Sequence, residues 1–307
     1  MKIFYTDHFV LPLPSGHRFP MAKYARLRQR VQTAGIIPPH ELVQPPAATD
    51  QQLCAVHTPA YVQRVTAGAL DPQEQRRIGF PWSAAMVERS RRSVGATIAG
   101  ARAALQDGFA VNLAGGTHHA YADRGEGYCV FNDVAVAIGV LRREELIQRA
   151  LVIDCDVHQG NGTAAIFRED TDVFCFSVHG ANNFPFHKEA GTLDIALADG
   201  AGDDHFLAAV SSGLRQACAQ PHDIAFYIAG ADAHEGDRLG RLHVSAPALA
   251  ERDRLVLGTC ARLHLPVVVV MGGGYGHDIE DTVAIHLHSV LTAAALAEAA
   301  SPTNTIL

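Results

Sequence analysis

A chain of 307 residues, 48% hydrophobic and 19% charged, has the composition of a soluble globular protein with a large core. Its net charge of −7 argues against direct nucleic-acid binding and against an anionic membrane surface, but not against local capture of a cationic substrate. The N-terminus lacks the shape of a signal peptide, and the histidine-interrupted tract at 283–300 reads as a packed helix rather than a membrane span. Six cysteines without paired spacing read as reduced core thiols of a cytoplasmic protein.

Residues 2–5 are apolar enough for a first strand, and 11–20 are a Pro- and Gly-rich loop. Residues 21–33 form a helix ended by Gly35 and the Pro38-Pro39 pair. Thr58 and Pro59 open another helix as cap and first residue, and 84–106 is a long helix rich in small side chains. From there strands at 109–113, 151–154, 173–178, 223–229 and 266–271 alternate with helices at 132–143, 163–167, 204–218, 246–263 and from 279 onward. Such alternation implies right-handed β-α-β units, and so a single α/β domain over 1–307, three layers α/β/α around a mostly parallel sheet.

Residues 150–163 organise the chemistry. An apolar run ends in Asp154-Cys155-Asp156-Val157-His158-Gln159-Gly160-Asn161-Gly162. Side chains at i and i+2 leave a strand on the same face, so Asp156 and His158 reach one point where the strand ends. In open α/β sheets ligands bind at that end, and an oxygen donor beside an imidazole suggests a divalent metal, most often zinc. Other strand ends carry comparable chemistry. They read Gly115-Gly116-Thr117-His118-His119, Gly230-Ala231-Asp232-Ala233-His234-Glu235-Gly236-Asp237 and Gly272-Gly273-Gly274-Tyr275. Asp232 is the expected third ligand. Two carboxylates and one imidazole leave coordination positions open, as a catalytic site requires. His118 and His119 are candidates for the base and Tyr275 for the oxyanion partner. His234, Glu235 and Asp237 are expected to shape their loop.

These segments, together with Gly127-Tyr128-Cys129-Val130-Phe131-Asn132-Asp133, resemble the zinc-dependent histone deacetylase family. The run from Ala229 to Gly240, followed by Arg252-Asp253, resembles its class IV branch. The resemblance implies an arginase/deacetylase fold and hydrolysis of N-acyl-lysine amides, acetyl and long-chain. It implies one zinc held by Asp156, His158 and Asp232, with His118, His119 and Tyr275 catalytic and Asp154 and Asn161 as partners of the two histidines. Gly127, Tyr128 and Gly273 are expected at the substrate. Phe184 or Phe186, with Phe186 preferred, is expected to close the acyl-lysine channel. A structural K+ or Na+ is expected near Asp154 and Ser177. The expected substrate is an acylated protein or a small acylated amine; the sequence leaves oligomeric state open. Two alternatives stand beside the hydrolase. A non-catalytic acyl-lysine binder would lack a ligand, base or tyrosine. A two-manganese ureohydrolase needs further carboxylates, as Asp-x-His-x-Asp and Asp-x-Asp, but after His158 this chain reads Gln159, Gly160 and Asn161, and two after Asp232 it has His234.

Overall fold

Apolar runs bounded by turns become strands buried on both faces, as parallel sheets require. The structure, a computed structural model, describes residues 1–300; positions 301–307 of the expected domain lie outside the described residues. The strands are β1 (Lys2–Phe4), β2 (Leu42–Val43), β3 (Phe109–Asn112), β4 (Ala150–Asp154), β5 (Val173–Gly180), β6 (Leu193–Leu197), β7 (Ile224–Ile228) and β8 (Val267–Val270). They form one sheet in the order β2-β1-β3-β8-β7-β4-β5-β6, and every pairing is parallel. The helices are α1 (Lys23–Ala34), α2 (Asp50–Leu53), α3 (Pro59–Ala67), α4 (Pro72–Ile78), α5 (Ala84–Asp107), α6 (Asp133–Arg143), α7 (Asn161–Ile166), α8 (Asp203–Ala217), α9 (Ala246–Arg262) and α10 (Ile279–Ala299).

Strand alternation divides the core into two layers. Val152, Phe226, Ile228, Val268 and Val270 face α5 and α6, where Ile98, Ala101, Val134 and Ile138 meet them. Leu151, Ile153, Tyr227, Val267 and Val269 face the other way, against Leu27, Phe206, Val256 and Val283 of α1, α8, α9 and α10. Among the described residues α10 is long and apolar enough to cross a membrane. It packs instead on α1 and α9, burying Val283, Ile285, Val290 and Ala293 in that second layer.

The expected helix at 58 starts as read: Thr58 accepts from the Tyr61 N–H and Pro59 is the first residue. Four short elements lie outside the expected set: β2, β6, α2 and α4. β6 carries a period-two signal, Leu193, Ile195 and Leu197 alternating with Asp194 and Ala196, as an edge strand does. α4 has a full capping box between Asp71 and Glu74.

Candidate active site

β3, β8, β7 and β4 are neighbours in the sheet, and each releases one motif from its C-terminal end. Four segments far apart in sequence therefore meet over one edge.

Asp156, His158 and Asp232 converge there. One donor atom from each lies within 4.8 Å of the others, and all three are buried. His158 Nδ1 stands 3.0 Å from Asp156 Oδ1 and 3.1 Å from Asp232 Oδ2. Backbone amides hold the carboxylates: the Gly273 N–H donates to Asp156 Oδ2 at 2.5 Å and the Val157 N–H to Asp232 Oδ1 at 2.9 Å. A Cβ on Gly273 would stand 1.7 Å from Asp232 Oδ2, so only glycine permits this approach. Two buried carboxylates this close oppose each other. Burial, then the charge on Asp156, pushes the Asp232 carboxyl up to about 7. A divalent cation held by the three side chains removes that opposition. One nitrogen and two oxygen donors, with positions left open, fit a catalytic zinc.

The tandem histidines differ through their partners. His118 Nδ1 donates to Asp154 Oδ2 at 2.7 Å. Burial disfavours the His118 cation, but the Asp154 carboxylate, with Asp156 beyond it, prevails and pushes the ring up to about 9. His119 Nδ1 lies 2.7 Å from Asn161 Oδ1. Asn161 turns its NH2 to the Tyr121 hydroxyl at 3.0 Å, and that hydroxyl donates to Glu189 at 3.2 Å. The amide oxygen must therefore accept from His119 Nδ1–H, leaving Nε2 as the lone-pair nitrogen. Burial, then the nearby His118 and His158, holds His119 well below the ordinary histidine value. One ring is thus held as a cation and the other neutral.

Tyr275 is held by its backbone. Its N–H donates to Asp237 Oδ2 at 2.6 Å, and its carbonyl accepts from Arg238 Nε at 2.7 Å. Burial, then Asp156 and Asp232, raises the phenol well above its ordinary value, so it stays a proton donor. Tyr275 shares a cavity of about 480 Å³ with His119, His158, Gly127 and Tyr128. Tyr128 has φ +65°, a left-handed conformation that strains a bulky residue by roughly 1–3 kcal/mol. Its N–H donates to the Ile78 carbonyl at 2.7 Å, and its ring stacks on Phe80 at 5.2 Å, which holds it there. A Cβ on Gly127 would meet His119 at 2.7 Å and Phe184 at 3.0 Å, so this passage between rings also requires glycine.

Behind Asp232 lies a second buried ionic cluster. Arg252 Nη1 donates to the Gly230 carbonyl at 2.5 Å, two residues before Asp232. Its Nε and Nη2 donate to Asp253 Oδ1 at 3.1 and 2.9 Å. The Tyr227 hydroxyl donates to the same oxygen at 2.6 Å, and Ser289 donates to Asp253 Oδ2 at 2.7 Å.

The sequence model of the histone deacetylase domain matches residues 17–291. The chain belongs to the histone deacetylase family. It is 44% identical to an uncharacterized protein of Picosynechococcus, over 95% of this chain and 97% of that one. It is 30% identical to the acetoin utilization protein AcuC of Bacillus subtilis (86% and 73%) and 29% identical to histone deacetylase 2 of Arabidopsis thaliana (84% and 70%). Among solved structures, an HDAC homologue from Aquifex aeolicus matches with a TM-score of 0.82 at 23% identity, over 95% of this chain and 83% of that one. An HDAC homologue complexed with SAHA matches with a TM-score of 0.79 at 26% identity over the same shares. The expected arginase/deacetylase fold is the fold observed.

Two expected substrate positions of this histone deacetylase family chain lie at the cavity walls. Phe184 and Phe186 both line the cavity: Phe184 meets His119 at 4.9 Å in a T-shaped contact at the inner end, and Phe186, 80% exposed, stands at the rim. Gly273 lines a small cavity with His119, Tyr128 and Tyr275, and its N–H is donated to the carboxylate of Asp156. The positions of a second metal carry no carboxylate: Gly160, two after His158, has no side chain, and His234, two after Asp232, accepts at Nδ1 from the Gly236 N–H. Ser177 pairs in register with Asp154, and its hydroxyl is bonded to His179 Nδ1 at 2.8 Å. Asp237 does shape its loop, accepting from the N–H groups of Leu239, Gly240 and Tyr275. The sequence reading missed Arg252 as an anchor. It also missed Lys23, a buried lysine whose Nζ is 3.4 Å from the Gly272 carbonyl and 5.6 Å from the centre of the Tyr275 ring. Lys23 left no signal beyond its place in a helix.

Proposed function

We propose that this histone deacetylase family chain is a zinc-dependent amidohydrolase that removes acyl groups from the lysine side-chain amide or a related amine. One observation carries the reading: His158, from the three-residue metal group, lines the same cavity as the neutral base His119 and the protonated Tyr275.

Zinc bound by Asp156, His158 and Asp232 supplies a Lewis acid that polarises the amide carbonyl and acidifies water. The chain supplies the remaining chemistry. Tyr128 and Phe184 flank a methylene chain and exclude water from the amide. His119 Nε2 takes a proton from the attacking water as its oxygen bonds to the carbonyl carbon. The same nitrogen returns that proton to the amine as the C–N bond breaks; the acid so formed passes its remaining proton to the released amine, which leaves as an ammonium beside a carboxylate. Tyr275 donates to the oxygen on which negative charge develops, and the His118 cation adds a fixed positive charge. The class IV likeness of 229–240 supports including long-chain acyl groups in the substrate range.

The test is carboxylate release from acyl-lysine peptides, acetyl through myristoyl, with zinc added and a hydroxamate control. Hydroxamate-sensitive release from at least one peptide is expected. Zinc bound at one ion per chain with no release from any peptide overturns the reading.

A further inference from the structure

The channel mouth is charged in the opposite sense to the molecule. The chain carries a net −7, yet the cavity lining includes Arg18 and Arg241 and no carboxylate. The two arginines are not equivalent. Arg241 Nη1 is bonded to Asp199 at 3.2 Å, so its charge is compensated. Among the described residues the guanidinium of Arg18, which is exposed, has no partner.

Arg18 is nevertheless firmly placed. On one side, the Phe19 N–H donates to His17 Nδ1 at 3.1 Å, which leaves His17 Nε2–H to donate to the Gly79 carbonyl at 3.0 Å. On the other, the Phe19 ring meets Phe80 edge-on at 5.0 Å and Tyr128, the channel wall, at 5.4 Å. The carbonyl of Arg18 itself accepts from Arg238 Nη2 at 3.4 Å. The backbone is tethered around Arg18 while its charged head is free. The free guanidinium is thus kept at the mouth, and a guanidinium matches a carboxylate through two parallel hydrogen bonds.

We propose that Arg18 is a specificity-determining residue that selects carriers bearing a carboxylate next to the acylated amine. The proposal rests on the amidohydrolase reading above. When the acyl-lysine methylenes fill the channel, the α-carbon and its substituents stand at the mouth. A carboxylate there comes from a free Nε-acyl-lysine or from an acidic neighbour in a peptide. Acylated polyamines, whose remaining nitrogens are cations, meet a like charge instead. Electrostatic recognition at such a rim acts chiefly on capture, so the effect belongs in kcat/KM and weakens with salt.

The experiment compares Nα-blocked Nε-acetyl-lysine as the free acid and as the carboxamide, using the zinc-loaded full chain. Acetyl-lysine peptides flanked by Asp or by Lys, and an acetylated polyamine, form the further arms. For an exposed pair, a free-acid to carboxamide ratio of about three to five in kcat/KM is expected at low salt, falling towards one at high salt. Arg18→Ala brings the ratio to about one, Arg18→Glu inverts it, and Asp199→Asn, by releasing Arg241, increases it. A preference for the free acid but not for the Asp-flanked peptide assigns the site to the small molecule; the reverse assigns it to peptides. A ratio of one in the unaltered chain, or one that survives Arg18→Glu, overturns the proposal while leaving the hydrolase reading intact. No turnover of any carrier overturns both.

Discussion

Two buried ionic clusters lie back to back at the end of β7, and they are built on opposite rules. In the Arg252–Asp253 cluster each charge meets its opposite: one guanidinium, one carboxylate, and the hydroxyls of Tyr227 and Ser289 on the carboxylate oxygens. In the Asp156–His158–Asp232 cluster two carboxylates crowd one imidazole at the foot of a cavity. Buried charge is tolerated in a protein when paired and hydrogen-bonded. The first cluster meets that condition within the fold, and the second would meet it with a cation bound. The self-compensated cluster also bears on the other, because Arg252 grips the carbonyl of Gly230 on the arm that presents Asp232. A satisfied buried network anchors, and an unsatisfied one binds.

The largest effect that breaks this contrast comes from the open cluster. Asp232→Ala removes a ligand, so zinc binding is expected to fall below one ion per chain and kcat/KM by more than about 10³-fold, because the metal contributes several kcal/mol of charge stabilisation. Tyr275→Phe touches no ligand. It should keep one zinc per chain while kcat falls by about 10²–10³-fold, as when a single oxyanion donor is lost. Metal analysis beside steady-state kinetics separates the two; full turnover by Tyr275→Phe would remove Tyr275 from the mechanism.

The closed cluster should respond in stability first. Arg252→Met leaves Asp253 buried without its counter-charge, a loss of about 3–5 kcal/mol. The double variant Arg252→Met with Asp253→Leu removes both charges and should recover much of it. Urea unfolding measures both. Zinc affinity gives an independent reading of the grip on Gly230: Arg252→Met should weaken it about 10–100-fold, as loss of an outer support of a metal ligand does. Unchanged affinity in the folded variant would mean that Arg252 serves the fold alone.

How far each cluster was legible follows from how it is assembled. Asp156 and His158 are two residues apart, so strand geometry alone points them to one place. Asp232, Tyr275 and the histidine pair follow strand-like runs, and a parallel sheet sends all such ends to one edge. Arg252 and Asp253 are neighbours in α9, but the groups they engage are Gly230 after β7, Tyr227 in β7 and Ser289 in α10; no spacing in the sequence connects these to α9. The channel mouth is assembled likewise, from loops near residues 18, 183 and 240 that only tertiary packing brings together. Phe184 and Phe186 flank one proline in a loop without periodicity, so nothing local tells which ring turns inward.

A smaller and sharper test concerns the base. Burial, then His118 and His158, keeps His119 neutral over the working range, and its partner Asn161, an amide, supplies no counter-charge. Asn161→Asp adds a negative charge at the same distance and should move the acidic limb of the kcat/KM profile upward by about one pH unit or more. An unmoved limb would count against His119 as the base.

The smallest expected effect compares the two clusters through pH alone. Burial opposes the charge on Asp253, but Arg252 first, then His288, Tyr227 and Ser289, hold its carboxyl below the ordinary value. Its contribution is therefore present above the unfolded value near ~4 and lost as pH falls through the folded one. Asp232 has the opposite sign: raised to about 7, its contribution is present below the unfolded value and lost as pH rises through the folded one. In zinc-stripped protein, urea midpoints should decline towards pH 7 on account of Asp232 and decline below pH 4 on account of Asp253. Asp232→Asn should shrink the first slope, to which the raised carboxyl of Asp154 also contributes, and the Arg252–Asp253 double variant the second, to which the lowered carboxyl of Asp156 also contributes, each leaving the other in place. Should one substitution remove both slopes, the two clusters titrate as a single unit, and Gly230 transmits charge state as well as position.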